Sequence, residues 1–391
     1  MKRMHKEHFA YLDGIRGLMC INVVICHFVV VYYPELYFEE FADLSILGKI
    51  VGGSPLSVFV NGDIAVRYFF VLSGFLIAFS TFKNRSYGAK LILSKMKKRY
   101  FRLLPIISIA TIFTFILMKF DLLYHLNIVD IVQNSTFLQA YCNFDPTIPS
   151  LFNNIFIKVF ITGSDYVGPF WTIRYELWGP LVALILCSLL HKRKSRRLLY
   201  VLIVVPLSIF VDSNLLSLFI GVFVADLLCF PDKDTTIFSK YYFTILNNKL
   251  FIIIISIVGL YCVCVPMYFA GIYQYWNIIP YLFPGILRSI GVGLLLYVLL
   301  KTPQIRKPFE SKLLQLLGRI SFSVYAIHWT LMLSLQAWLF MNFSSLYSYS
   351  IAALLSFGIT CIAIFIVAYI IWFVVERNPS ILHLHTQSKK N

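Results

Sequence analysis

The chain has 391 residues, of which 59% are hydrophobic, 17% aromatic and only 13% charged, and its mean hydropathy is +0.78. Soluble domains are about one quarter charged, so a water-soluble globular class is excluded and a polytopic, all-α membrane protein is expected. The formal net charge of +16 would suit nucleic acid, but the basic residues cluster between apolar runs, as topology determinants do, and no nucleic-acid partner is expected.

A membrane-crossing helix needs roughly 17–25 mainly apolar residues. Ten such runs are expected, near residues 9–33, 64–82, 103–120, 169–190, 198–212, 215–230, 249–269, 285–300, 320–340 and 348–375. The first follows a basic start (Lys2, Arg3, Lys6) but has too long an apolar core for a signal peptide, and no small-residue cleavage site, so it reads as a retained span. The run at 215–230 carries Asp226, which weakens it as a lipid-exposed helix. With the N-terminus in the cytoplasm, most of the 34 lysines and arginines fall on inner segments. This bias favours an even number of spans with both termini cytoplasmic. Two long outer connections result, near 34–63 and 121–168, and the second contains the amphipathic stretch NNIFIKVFITG, expected at the membrane interface. Tyr32, Tyr33, Trp276 and Tyr281 sit where an aromatic belt is expected. A single domain with no appended soluble domain is expected. The eight cysteines show neither zinc spacing nor a disulfide framework, and no metal site is expected.

Ionisable and polar residues within spans are costly and mark functional candidates. In YLDGIRGLMCINVVICHF, residues 11–28, Arg16 and His27 are eleven residues apart. That separation puts them on one helical face, about 16 Å apart along the axis. The competing reading has Arg16 snorkelling to headgroups and His27 bonding within the bundle. In FFVLSGFLI, residues 69–77, Ser73 and Gly74 suit close helix packing. In KKRYFRLLP, residues 97–105, Arg99 and Arg102 are neighbours on one face, able to grip phosphate or simply to fix topology. GPFWTIRYELWGPL, residues 168–181, carries Arg174 and Glu176; the carboxylate either orients a histidine or pairs with Arg67 or Arg288. ISFSVYAIHWTL, residues 320–331, carries Tyr325 and His328 one turn apart, suited also to ordinary helix–helix hydrogen bonding.

Taken in order, the Arg-x10-His start, SGFLI, Arg-x2-Arg, FWTIRYELWGPL, ISFSVYAIHWTL and a closing VVERNP resemble the acyltransferase type 3 family of integral membrane proteins over residues 9–379. The family's tryptophan motif often has leucine where Ile173 stands; the match at Trp171, Thr172 and Glu176 is otherwise good. The resemblance implies an enzyme of about ten spans that moves an acyl group, most often acetyl, from cytoplasmic acyl-coenzyme A (acetyl-CoA) to a hydroxyl of a cell-surface polysaccharide, lipopolysaccharide or lipid-linked glycan. By the same resemblance His27, Arg16 and Glu176 are the expected catalytic residues. Arg99, Arg102 and Ser73 are expected to bind the coenzyme A donor, and Asp13, Trp171, Tyr325 and His328 the acceptor. A bacterial cytoplasmic (inner) membrane is the expected location. A secondary transporter, or a non-catalytic protein retaining the fold, is the competing class.

Overall fold

The computed structural model of the chain describes residues 9–38, 41, 45–210, 212–230, 248–266 and 283–377. Helices dominate, and no strand occurs among the described residues. The principal ones are α1 (Ala10–Tyr32), α2 (Gly62–Asn84), α3 (Ala89–Lys119), α4 (Gly168–Leu190), α5 (Arg196–Phe210), α6 (Asn214–Cys229), α7 (Lys249–Val263), α8 (Phe283–Lys301), α9 (Lys312–Ser344) and α10 (Tyr349–Glu376). Each of the ten expected apolar runs falls on one of them. Seven are long and apolar enough to cross a membrane by themselves. The described parts of α5, α6 and α7 have 15, 16 and 15 residues, about 23 Å each, short of a hydrocarbon core of about 30 Å. The exposed surface of α10 is apolar, at Ile351, Leu354, Ile362 and Ile366, as lipid contact requires. The protein is a multi-pass, all-α membrane protein.

Two compact units make up the chain. The first comprises residues 9–33, 97–174 and 311–377 of the described chain, and the second 34–38, 41, 45–96, 175–210, 212–230, 248–266 and 283–310. Each is organised on one close helix crossing made by glycines. In the first unit α1 and α9 run parallel. A Cβ on Gly17 would lie 2.5 Å from the Leu314 carbonyl oxygen, and one on Gly318 would overlap the Asp13 carbonyl. Only the absence of side chains lets these backbones touch, and such contact is a main source of helix association in lipid. In the second unit Gly74 and Gly221 play this part, each facing backbone of the opposing helix at Leu218 and Val71. The packing reading of the SGFLI segment therefore holds for Gly74.

Two acidic residues of the second unit are each held by a pair of arginines. Asp63, at the start of α2, accepts from Arg67 Nε at 2.8 Å and from Arg288 Nη1 at 2.9 Å. The sequence offered Glu176 as the alternative partner of these arginines; Asp63, just before the expected span, is the carboxylate that takes both. Asp226 is 0% exposed and accepts from Arg196 (2.6 Å) and Arg197 (2.8 Å). A doubly paired carboxylate is tolerable where a bare one is not, which explains how α6 keeps it.

One expectation is corrected. Tyr32 is 2% exposed, with ring centroids 5.3 Å from Phe28 and 4.9 Å from Phe340, so it is core and not interfacial belt. The cause is α1 itself, which is enclosed by α9 and α10 rather than facing lipid at this end. Trp276 and Tyr281 lie outside the described residues.

Candidate active site

The first unit brings Arg16, His27, Tyr325 and His328 together along the α1–α9 seam. The eleven-residue spacing does place Arg16 and His27 on one face, and that face meets α9. Arg16 donates to Ser321 Oγ (3.3 Å) and pairs with Asp13 one turn earlier (3.3 Å). Cys20 also points at this seam, its thiol 3.7 Å from the Ser321 carbonyl oxygen. Near the same end, Glu376 accepts from Ser323 Oγ at 2.6 Å and lies in the electrostatic field of Arg16 and Arg102. Arg16 thus lies near two carboxylates, Asp13 and Glu376, beside the hydroxyl of Ser321. Arg99 and Arg102 lie within α3, which begins at Ala89, fourteen residues before the expected start of that span.

Toward the other end of the seam His27 is half-buried and His328 is 0% exposed. His27 Nδ1 lies 3.0 Å from the Val23 carbonyl oxygen and 3.1 Å from His328 Nε2. His328 Nδ1 lies 2.8 Å from the Tyr325 carbonyl oxygen and 3.1 Å from that of Val324. The tautomers follow from this pattern. Two carbonyls facing His328 Nδ1 require a proton there, so in neutral His328 the Nε2 is an acceptor. His27 Nδ1, between an acceptor nitrogen and a carbonyl oxygen, must then carry a proton. Either alternative tautomer would set a lone pair against a carbonyl oxygen. The consequence is that neutral His27 has its free lone pair on Nε2, the atom a general base needs.

Tyr325 serves differently. Its hydroxyl donates to the Pro169 carbonyl and lies 2.6 Å from Thr172 Oγ1. It therefore clamps the Gly168–Thr172 turn of the tryptophan motif against α9. Trp171 stands on that turn and is 38% exposed, away from this seam's buried core.

The long connection after α3 folds over the histidines. Tyr124 N–H donates to the Leu333 carbonyl (3.1 Å), and Asn134 Nδ2 to the Val30 carbonyl (3.0 Å). His125 Nε2 lies 3.0 Å from the Tyr141 carbonyl oxygen, and burial holds this imidazole below its ordinary range, so it donates there as a neutral ring. Phe137 and Tyr141 pack their rings on Trp329, at 5.7 and 4.9 Å. Burial pushes the nearby Cys142 thiol up to about 12, so it stays protonated and is no nucleophile. The amphipathic stretch forms the helix Ile148–Ile161, with Phe152, Phe156 and Ile161 exposed opposite buried Leu151 and Phe160. No group of three or more His, Cys, Asp or Glu residues arranged to hold a metal ion occurs among the described residues.

Not every expected site residue belongs to this unit. Glu176, near the start of α4, and Ser73, on α2, are in the second unit. Within the first unit the ring that meets His27 Nδ1 is that of His328. Sequence reasoning weighed His328 as an acceptor contact or as a helix–helix hydrogen-bonding residue, but could not name His27 as its partner, because nothing local couples residues 301 positions apart. It also passed over Asp63, Trp329 and Gln336, the last two buried with polar atoms that have no partner. The structure marks this stretch with a π-helical turn at Met332–Gln336, a feature frequent near functional sites, which no sequence pattern announces.

A family model described as an acyltransferase domain matches residues 9–373. No curated protein and no solved structure matches the chain.

Proposed function

The chain belongs to the type 3 acyltransferase family of membrane proteins, and from that premise we propose that it transfers an acyl group, acetyl first among them, from acyl-coenzyme A to a hydroxyl of a cell-surface carbohydrate or glycolipid. The observation that carries this reading is the hydrogen-bond pattern at His27, which leaves Nε2 as a base on a half-buried ring. The acceptor hydroxyl gives its proton to His27 Nε2 as its oxygen attacks the thioester carbonyl. The C–O bond forms, the C–S bond breaks, and the imidazolium returns the proton to the leaving thiolate. During this cycle His27 Nδ1–H keeps donating to His328 Nε2, so the neutral second histidine steadies the charge on the first. His328 is a positioning residue in this scheme.

The donor side is read from Arg99, Arg102 and Arg16. Guanidinium groups bind phosphate oxygens in bidentate fashion, and Arg16 lies about 16 Å along α1 from His27, so a long thioester arm is needed to join the two ends. Asp13, expected at the acceptor, pairs with Arg16 at this end of α1. With the N-terminus cytoplasmic, the donor is taken from inside and the acceptor from outside, in a bacterial inner membrane. Lipid surrounds the bundle.

Membranes containing the protein, incubated with acetyl-labelled acetyl-CoA, are expected to release free coenzyme A and leave label on an outer glycan. Mass spectrometry of surface glycans with and without the gene identifies the acceptor. Coenzyme A release and glycan label both equal to gene-free membranes, for acetyl and longer acyl donors alike, would overturn the reading. A transporter would move a solute without consuming the thioester.

The His328 role has its own test. A hydrogen bond to a charged group is worth about 1.5–3 kcal/mol, so His328→Phe is expected to lower kcat about 10- to 100-fold with the donor KM little changed. His328→Gln, which keeps an acceptor, should retain more activity than His328→Phe. Wild-type kcat in His328→Phe would remove the histidine from the mechanism.

A further inference from the structure

Trp329 follows His328 on α9 and its side chain is 1% exposed, yet its indole N–H has no hydrogen-bond partner. A buried donor left unpaired costs about 1–3 kcal/mol, so each such group in a folded chain calls for a reason. Its surroundings are specific. The indole ring lies 5.2 Å, centroid to centroid and edge-on, from the His27 ring. A Cβ on Gly168 would come within 3.2 Å of Trp329 Nε1, so any other residue there would press a side chain against the N–H. Tyr141, half-buried on a loop, sets its ring across this position at 4.9 Å. An aromatic face is a weak acceptor and one that a substrate oxygen can replace.

We propose that Trp329 Nε1–H is a catalytic hydrogen-bond donor to the thioester carbonyl oxygen, strengthening as that oxygen becomes an oxyanion. The inference rests on the His27 reading above and adds to it the group that receives the developing charge. When the acceptor oxygen attacks, the C–O bond forms and the carbonyl π electrons move onto oxygen, where the indole N–H meets them. When the carbonyl re-forms, the C–S bond breaks and the thiolate leaves with the proton held by His27. A donor with no oxygen or nitrogen partner in the free protein is suited to this use, because it gives up no more than a weak contact with an aromatic face when the oxyanion arrives. Preorganised donors in dry sites are among the largest single contributions to acyl-transfer catalysis.

The test replaces Trp329 by 3-benzothienylalanine, which keeps the bicyclic shape and substitutes sulfur for N–H, with Trp329→Phe as a second variant and His27→Gln alongside. Acetyl-CoA and membranes carrying the native acceptor are the probes. The benzothienyl variant is expected to lose kcat by about 100- to 1,000-fold, to keep the donor KM within about twofold, and to melt no lower than wild type, since the lost N–H held no partner. Wild-type kcat in that variant overturns the proposal. So does a lowered melting temperature with kcat and KM failing together, which marks a structural N–H. If His27→Gln retains full transfer, the base reading fails. If His27→Gln is inactive while the benzothienyl variant is fully active, the donor proposal alone fails.

Discussion

Replacing His27 by glutamine is expected to lower acyl transfer by about 100- to 10,000-fold, the range for loss of a general base, while expression and membrane insertion persist. Glutamine is of similar size and polar, and the position is half-buried on a helix whose packing depends on Gly17, not on the imidazole. What it lacks is a basic ring nitrogen with a free lone pair. Coenzyme A release and labelled product should therefore fall together, with donor binding retained at the arginine end, where Arg16 bonds to Ser321 and Asp13. The same assay separates direct transfer from a relay through an acyl-imidazole. With acceptor withheld, a relay leaves label on the wild-type chain and direct transfer leaves none. Undiminished turnover in His27→Gln would sink the mechanism.

Asp63→Asn is expected to cost stability heavily. One carboxylate oxygen serves two guanidinium groups, and both arginines are buried, at 6% and 3% exposure. Removing it leaves two cations facing each other without a counter-charge. Loss of one partner from a buried ion pair costs about 3–5 kcal/mol. Arg67 keeps Ser289, and Arg288 keeps the Val265 and Pro266 carbonyls, which hold the groups in place and so prevent easy relaxation. Thermal unfolding of the detergent-solubilised protein measures the effect. The triple change Asp63→Asn, Arg67→Gln and Arg288→Gln should melt above the single variant, because it removes the stranded charge as well. An unchanged melting temperature in Asp63→Asn would show the carboxylate to be dispensable.

How much of this was legible beforehand differs by residue. The Arg16–His27 face was readable because helical period is a local property, and both side chains do turn toward one neighbour. Asp226 was readable as an anomaly but not as a solved one, since Arg196 and Arg197 reach it from another helix. Tyr32 was misread because sequence position gives depth along a helix and not which side faces lipid. Asp63 escaped notice because a hydropathy window started one residue after it.

The sequence by itself determined that the chain is a bundle of apolar helices, where their runs lie, and that Arg16 and His27 share a face, since hydrophobicity and the 3.6-residue period act over a few neighbouring residues. Only the tertiary structure decided that His328 receives His27 Nδ1–H, that Tyr325 is committed to Pro169 and Thr172, and that Trp329 keeps an unspent N–H beside the base. The physical reason is the crossing at Gly17 and Gly318. Backbone contact there brings α1 and α9 side by side and in register, and that register, which no local pattern encodes, selects which side chains meet.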